Sequence, residues 1–483
     1  MTKLRLTILS IATLIFSTSI FANGNNENTT VSKTEQTMNK AKYVFLFIGD
    51  GMAIPQISAT EAYLSAVDGK DADFKKLAMS SFPAQGLTTT YSSNALITDS
   101  AAAGTAISTG KKTESGVIAM DPSKQNKLQT IAEMAKTSGK KVGIISSVNL
   151  DHATPATFYA HNSSRNNYYE ISIEMANSNF DYFAGGMVRI DKTPEGEKSA
   201  HDVIKENGWQ MASTREELNS LKPGKQVYAY NSGFAGNALD YAIDQDADDI
   251  TLAEFTKKGI DILDNEDGFF MMVEGGKVDW ACHANDAAAS IKNTIAFDEA
   301  IQEAITFYNA HPDETLIVVT GDHETGGLTL GFAGTKYGSS FAKIDQQTMS
   351  YEGFDSNILS PFKEKYGSDA KLETLLPEIE KAFGLTDFTE YELSRLNDAF
   401  NQSSLSKDDR DSDDESYLLY GGYEPLTITL THILNQRSGL SWTTYSHTGV
   451  PVPTFAMGIN QDSFNGYYDN TDIFKKLNSA MGI

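Results

Sequence analysis

Five short, mostly apolar runs constrain this chain more than any other feature: Tyr43–Ile48, Lys141–Ser147, Phe269–Val273, Thr315–Thr320 and Pro453–Ile459. A strand with one wet face alternates polar and apolar residues, whereas a run apolar at nearly every position is covered on both faces. Helical patterns lie between these runs, at Leu128–Ser138, Thr251–Leu263 and the long Asn285–Asn309. That alternation predicts α/β architecture around a largely parallel sheet with helices on both sides. Length alone, 483 residues, gives a prior of about three domains.

Three segments depart from the rhythm. Lys3 and Arg5 precede the apolar run Leu6–Phe21, and Ala22 is followed by Asn23-Gly24-Asn25-Asn26, the pattern of a signal peptide cleaved after Ala22. The run is shorter than the ~20 residues of a membrane span, so an uncleaved anchor is the weaker reading. Residues 23–40 read as a flexible polar lead-in. From Lys336 to Ser441 there are 19 acidic and 10 basic residues, and the alternation fades, which marks an insertion. Its run Lys407–Glu415 fails as a calcium loop, with Asp414 where glycine is needed and Tyr420 where the closing Glu would stand, and reads as solvated surface. The formal charge of −25 argues against binding to a nucleic acid backbone or to an anionic membrane surface. Cys282, the sole cysteine, excludes an intramolecular disulfide.

In an open parallel sheet, functional groups gather beyond the carboxyl ends of the strands. Here those ends carry Asp50, then Glu274 with Asp279 and His283, then Asp322 and His323, while His152 and Thr154 follow the Lys141 strand. Asp279 and His283, spaced i, i+4, would share one face of a helical turn as metal ligands do, or form a surface ion pair. Asp322 and His323 converge only if the backbone turns there, for which Gly321 and Gly326-Gly327 are suited. His447 is a further candidate ligand, and each lone histidine has a structural alternative. Asp99-Ser100 opens the small-residue run Ala101–Ala106, so Ser100 would face the positive end of a helix dipole, or one of the two merely caps the helix. No histidine neighbours Ser100 along the chain, so a nucleophilic role would need a metal to lower its pKa. Gly104–Thr113 has one residue too many for a phosphate-binding loop, and no Gly-x-Ser-x-Gly elbow surrounds Ser100.

Together, Phe47-Ile48-Gly49-Asp50-Gly51-Met52, Thr98-Asp99-Ser100-Ala101-Ala102, His152-Ala153-Thr154-Pro155-Ala156 with Tyr159-Ala160-His161, Val273-Glu274-Gly275-Gly276, Asp279-x-x-x-His283, Gly321-Asp322-His323-Glu324-Thr325-Gly326-Gly327 and Ser446-His447-Thr448-Gly449 resemble alkaline phosphatase, in that family's order and from about residue 42 to 460. The resemblance implies one α/β/α sandwich domain over residues 41–483, with 336–441 as a crown-like surface insertion, overriding the three-domain prior. It implies an exported homodimer hydrolysing small phosphate monoesters through a phosphoserine. Catalytic roles fall to Ser100, Arg165 and Asp99. Asp279, His283 and His447 resemble the ligands of one zinc; Asp50, Asp322 and His323 those of a second, which also holds Ser100; Asp50, Thr154 and Glu274 those of a magnesium. His152 and Trp280 stand where the enteric-type enzyme has a carboxylate and a lysine, and resemble the marine, cold-adapted branch. Only 12 prolines, with 32 Lys to 7 Arg, agree with that branch. The alternatives are a sister phosphodiesterase or sulfatase, against which the Ser100 context and Arg165 speak, or an exported metal- or phosphate-binding protein without turnover.

Overall fold

The apolar runs form the centre of a ten-stranded sheet in the computed structural model, which describes residues 40–231 and 237–483. The proposed signal peptide and all but the last residue of the lead-in lie outside the described residues. The strands are β1 (Tyr43–Gly49), β2 (Ala84–Thr89), β3 (Lys141–Asn149), β4 (Tyr182–Gly186), β5 (Gln210–Ala212), β6 (Val227–Asn231), β7 (Phe269–Glu274), β8 (Thr315–Gly321), β9 (Val452–Gly458) and β10 (Gly466–Asp469). Their order across the sheet is β10-β2-β9-β8-β1-β7-β3-β4-β6-β5. β9 alone runs against its neighbours, β8 and β2, so the sheet is largely parallel as expected.

Both faces are covered, which is why these strands read as continuous apolar runs. In β1, Val44, Leu46 and Ile48 enter one apolar cluster, while Tyr43, Phe45 and Phe47 enter the other. Leu316 and Val318 of β8 join the first, and Ile317 and Val319 the second. Successive side chains of a strand point to opposite faces, so this partition is that of a three-layer α/β/α sandwich. The helix Leu252–Leu263 covers one face from behind a capping box, in which Thr251 accepts from Glu254 N and Glu254 accepts from Thr251 N. The helix Ala287–Ala310 is capped by Asp286, so its hydrogen-bonded part begins two residues after the sequence pattern does.

From Phe341 to Ser438 the regular elements are all helical. This stretch has its own apolar cluster, including Phe354, Leu375, Ile379, Phe383, Leu396, Leu430 and Ile433. Lys407–Asp409 and Asp411–Glu415 are exposed, consistent with a solvated acidic surface.

Candidate active site

The register of the three central strands sets the site. Ile48 pairs with Glu274 and Gly49 with Gly321, so Asp50, Glu274 and Asp322 stand side by side at one sheet edge. All three are fully buried. Gly51 turns the chain out of β1 at φ 69°, and a Cβ there would meet Asp279 Cα at 2.8 Å. Its amide donates to Asp322 Oδ1 at 3.2 Å, and His323 N donates to the same oxygen at 2.8 Å. Yet Asp50 Oδ1, Glu274 Oε1 and Asp322 Oδ2 accept no hydrogen bond. Burial, reinforced by the neighbouring carboxylates, holds Asp50 and Asp322 well above the usual carboxylate range. Burial likewise lifts Glu274 to about 7, against the hydrogen bond from Ser146 Oγ. Buried carboxylates with unpaired oxygens facing one another are a donor set suited to a cation.

The second group sits on the helix Lys277–His283, which places Asp279 and His283 on one face as the spacing predicts. His447 comes from far along the chain. His283 Nδ1 donates to the Tyr445 carbonyl at 2.6 Å, and His447 Nδ1 to the Thr98 carbonyl at 2.8 Å. A carbonyl can only accept, so each Nδ1 carries a proton and Nε2 is the nitrogen that each ring turns inward. Those two Nε2 atoms are 3.2 Å apart, and His283 Nε2 is 3.3 Å from Asp279 Oδ2. Burial opposes ionisation of Asp279, but His283 and His447 hold its carboxyl well below the usual range. Burial would also lower His283, yet Asp279 prevails and raises it to about 9.

Ser100 begins the helix Ser100–Thr109, and Asp99 is its N-cap, accepting from Ala102 N at 3.0 Å. Asp99 Oδ2 also accepts from Gly116 N at 2.9 Å and from an Arg165 terminal nitrogen at 3.0 Å. One oxygen of Asp99 thus starts the helix and the other holds the guanidinium. The other terminal nitrogen of Arg165 lies 3.1 Å from His152 Nε2. Burial, helped by Arg165, lowers His152 to about 3, so it stays neutral and can accept there. Its ring meets Trp280 edge-on, with centroids 5.8 Å apart. Although no histidine neighbours Ser100 in sequence, His323 Nε2 is 3.1 Å from Ser100 Oγ. The same nitrogen is 3.3 Å from both Asp50 Oδ1 and Asp322 Oδ2. Burial and the stacked His447 ring hold the His323 imidazole well below its ordinary value.

All the side chains singled out in the sequence thus converge. Ligand atoms of Asp279, His283 and His447 lie within 4.8 Å of one another, as do those of Asp50, Asp279 and His323, and of Asp50, His152 and Glu274. Asp279 faces two of the three groups, which the sequence does not indicate. Thr154 Oγ1 donates to Asp50 Oδ2 at 3.3 Å, which brings it to the third. Gly326 and Gly327, both at positive φ, turn the chain after the short Glu324–Thr325 strand that follows Asp322 and His323. Inward-facing imidazole nitrogens and carboxylates are a donor set suited to zinc in the first two groups, and the oxygens of Asp50, Glu274 and Thr154 suit magnesium in the third. Sequence reading missed Thr325, whose hydroxyl donates to Asp279 Oδ1 and accepts from His323 Nδ1 at 3.3 Å. It also missed Glu324, which ties Gln56, Gly327, Leu328 and Thr448 together.

Residues 41–184 and 187–483 match the family described as alkaline phosphatase. The chain is 32% identical to alkaline phosphatase 3 of Bacillus subtilis over 494 residues, covering 99% of this chain and 97% of that one. It is similar to the crystal structure of a cold-active alkaline phosphatase from a psychrophilic Shewanella, at 31% identity and TM-score 0.75 over 91% of this chain and 99% of that one. The alkaline phosphatase of the Antarctic bacterium TAB5 is 25% identical, with TM-score 0.63 over 92% of this chain and 99% of its own.

Proposed function

The chain belongs to the alkaline phosphatase family, hydrolases of phosphate monoesters, and we propose that it works through a phosphoserine at Ser100. The observation that carries this reading is the set of three around the serine. Its hydroxyl lies at a helix N-terminus, touches His323, and shares the cap residue Asp99 with the guanidinium of Arg165. The helix end and Arg165 both favour a phosphoryl group at that point.

Asp279, His283 and His447 would hold one zinc, Asp50, Asp322 and His323 a second, and Asp50, Thr154 and Glu274 a magnesium, and these ions would supply Lewis-acid charge at the serine and at the departing oxygen. The chain's own residues do the rest. Ser100 gives up its hydroxyl proton to water as Oγ bonds to phosphorus and the ester P–O bond breaks, and the departing alkoxide takes a proton from water to leave as the alcohol. A water then forms a new P–O bond as Oγ–P breaks, releasing inorganic phosphate and restoring the serine. Arg165 forks onto two phosphoryl oxygens, while Asp99 and His152 fix its plane. Trp280 packs on His152 in place of a second cation, so phosphate is held by fewer charges and leaves readily.

The same reading takes residues 41–483 as one catalytic domain with 336–441 as its crown-like insertion, an N-terminal export signal, and a homodimer. Among the described residues no helix is long and apolar enough to cross a membrane. The test is hydrolysis of phenyl phosphate by wild type and by Ser100→Ala. Loss of at least ~10³-fold is expected from removing the nucleophile. Turnover retained by the alanine variant, or faster wild-type cleavage of diesters or sulfate esters than of monoesters, overturns the proposal.

A further inference from the structure

Two lysines are buried among the described residues, Lys140 and Lys277. Lys140 Nζ donates to the carbonyls of Lys42 and Asp267, at 2.7 and 3.3 Å. Lys277, 2% exposed, is held differently, by one carboxylate and two aromatic rings. Its Nζ lies 3.6 Å from Glu352 Oε2, 3.6 Å from the Tyr241 ring centroid and 4.9 Å from that of Trp280. Taking an ammonium out of water is costly, and ring faces offset part of that cost only in a fixed geometry. Burial lowers its pKa, and Glu352, Asp240 and Asp244 act against that shift.

One side of this ammonium is braced, and the other leads to the phosphate site. The Tyr241 hydroxyl donates to that of Tyr351 at 3.2 Å, and the Tyr351 hydroxyl donates to Glu352 Oε1 at 3.0 Å. Ring, hydroxyls, carboxylate and ammonium therefore close one circuit. Glu352 stands in the short helix Tyr351–Phe354 of the 336–441 stretch, anchored by Tyr351 N donating to Asp286 Oδ2 at 2.9 Å. On the other side, Trp280 follows Lys277 by three residues in the helix Lys277–His283, close to one turn away. The Trp280 and His152 ring centroids are 5.8 Å apart, and His152 Nε2 lies 3.1 Å from a terminal nitrogen of Arg165. Carboxylate, ammonium, indole, imidazole and guanidinium thus form an unbroken series of contacts from Glu352 to Arg165.

We propose that Lys277 is a positioning residue of the phosphate site: pinned by Glu352, its ammonium sets the Trp280 ring against His152, and His152 sets the plane of the Arg165 fork. Asp99 holds the same guanidinium independently, at 3.0 Å, so loss of Lys277 loosens the fork without freeing it. Through Glu352 the 336–441 insertion reaches the group that holds phosphate. This inference rests on the site assignment above, with Arg165 at the phosphoryl group.

The experiment compares metal-loaded wild type, Lys277→Met and Lys277→Arg by the inhibition constant of inorganic phosphate and by kcat and KM on phenyl phosphate. Lys277→Met should raise the inhibition constant and KM about fivefold, the scale of one weakened hydrogen bond, with kcat changed less than about twofold. Lys277→Arg keeps a cation between the same carboxylate and rings, and should recover part of the loss. Lys277→Met strands the Glu352 carboxylate, so the pair Lys277→Met with Glu352→Gln is measured beside it and should show the same rise. In a Trp280→Leu background, Lys277→Met should leave the inhibition constant unchanged, because the ring it acts through is gone. An unchanged constant in both Met variants, an equal rise with and without Trp280, or zinc lost from Lys277→Met on metal analysis overturns the proposal. A wild type that neither cleaves phenyl phosphate nor is inhibited by inorganic phosphate overturns the site assignment itself.

Discussion

Replacing Glu324 with glutamine tests how the two histidine-bearing loops are held in register. The carboxylate is buried and accepts four hydrogen bonds. Oε1 takes Gln56 Nε2 at 2.8 Å and Leu328 N at 3.2 Å, while Oε2 takes Gly327 N at 3.1 Å and the Thr448 hydroxyl. Glutamine keeps the shape but turns one oxygen into a donor. Facing Gln56 and Leu328, that amide would meet two donors, and Gln56 cannot flip because its own oxygen accepts from Ala53 N. Facing Gly327 and Thr448, it meets one backbone donor and a hydroxyl that can rotate to accept. The second arrangement costs less. It loses one charge-assisted bond, leaves Gly327 N–H unsatisfied and weakens the others, for about 3 kcal/mol in all. Thr448 adjoins His447 in a short bridge to Glu324–Thr325, so the same change loosens a metal-ligand candidate. Urea unfolding of the metal-loaded protein should read the lost stability. Chelator stripping should release metal roughly 10–100-fold faster, as for other groups that orient ligands. A variant less than about 1 kcal/mol destabilised, with unchanged metal release, would refute the reasoning.

Arg165→Lys keeps a charge but loses the fork, and steady-state kinetics on phenyl phosphate should show kcat/KM down roughly 10–100-fold. Under the proposed ligand assignment, Asp279→Ala and His447→Ala should each lose one zinc of an expected content of about two per chain, as metal analysis after gel filtration decides. Asp355, raised by burial to about 7 despite the Thr427 hydroxyl, binds its proton more tightly folded than unfolded. Folding stability should therefore fall as pH rises from about 4 through 7, and Asp355→Asn should gain on the order of 2 kcal/mol at pH 8 and little at pH 4, read by thermal melts.

What the sequence discloses depends on where a group's partners lie. β1, β3, β7 and β8 are legible because both faces are buried, leaving unbroken apolar runs. β2, as Ala84-Gln85-Gly86-Leu87-Thr88-Thr89, is half exposed, and β5 has three residues, so neither leaves a pattern to read. The carboxylates at strand ends are legible because topology alone sends them to one edge. The contacts that orient them are not. His283 is aimed by the backbone carbonyl of Tyr445, and a carbonyl has no sequence signature. His323 meets Ser100 across 223 positions, a pairing that the family's motifs suggest and local spacing cannot.

Charge illustrates the same limit. The total of −25 describes a surface, much of it exposed carboxylates such as those of Asp411–Glu415. The four acids of the site are buried instead, and burial raises three of them above the usual carboxylate range. An excess of acid outside argues against extended polyanions but is a poor guide to a single phosphate ester, because the charges of the site dominate there. A buried cluster of acids with inward-facing imidazoles is different: it is unstable as a set of charges until cations complete it, and once completed it presents positive charge to a phosphate. The chain therefore recognises an anion through residues that, counted along the sequence, argue against one.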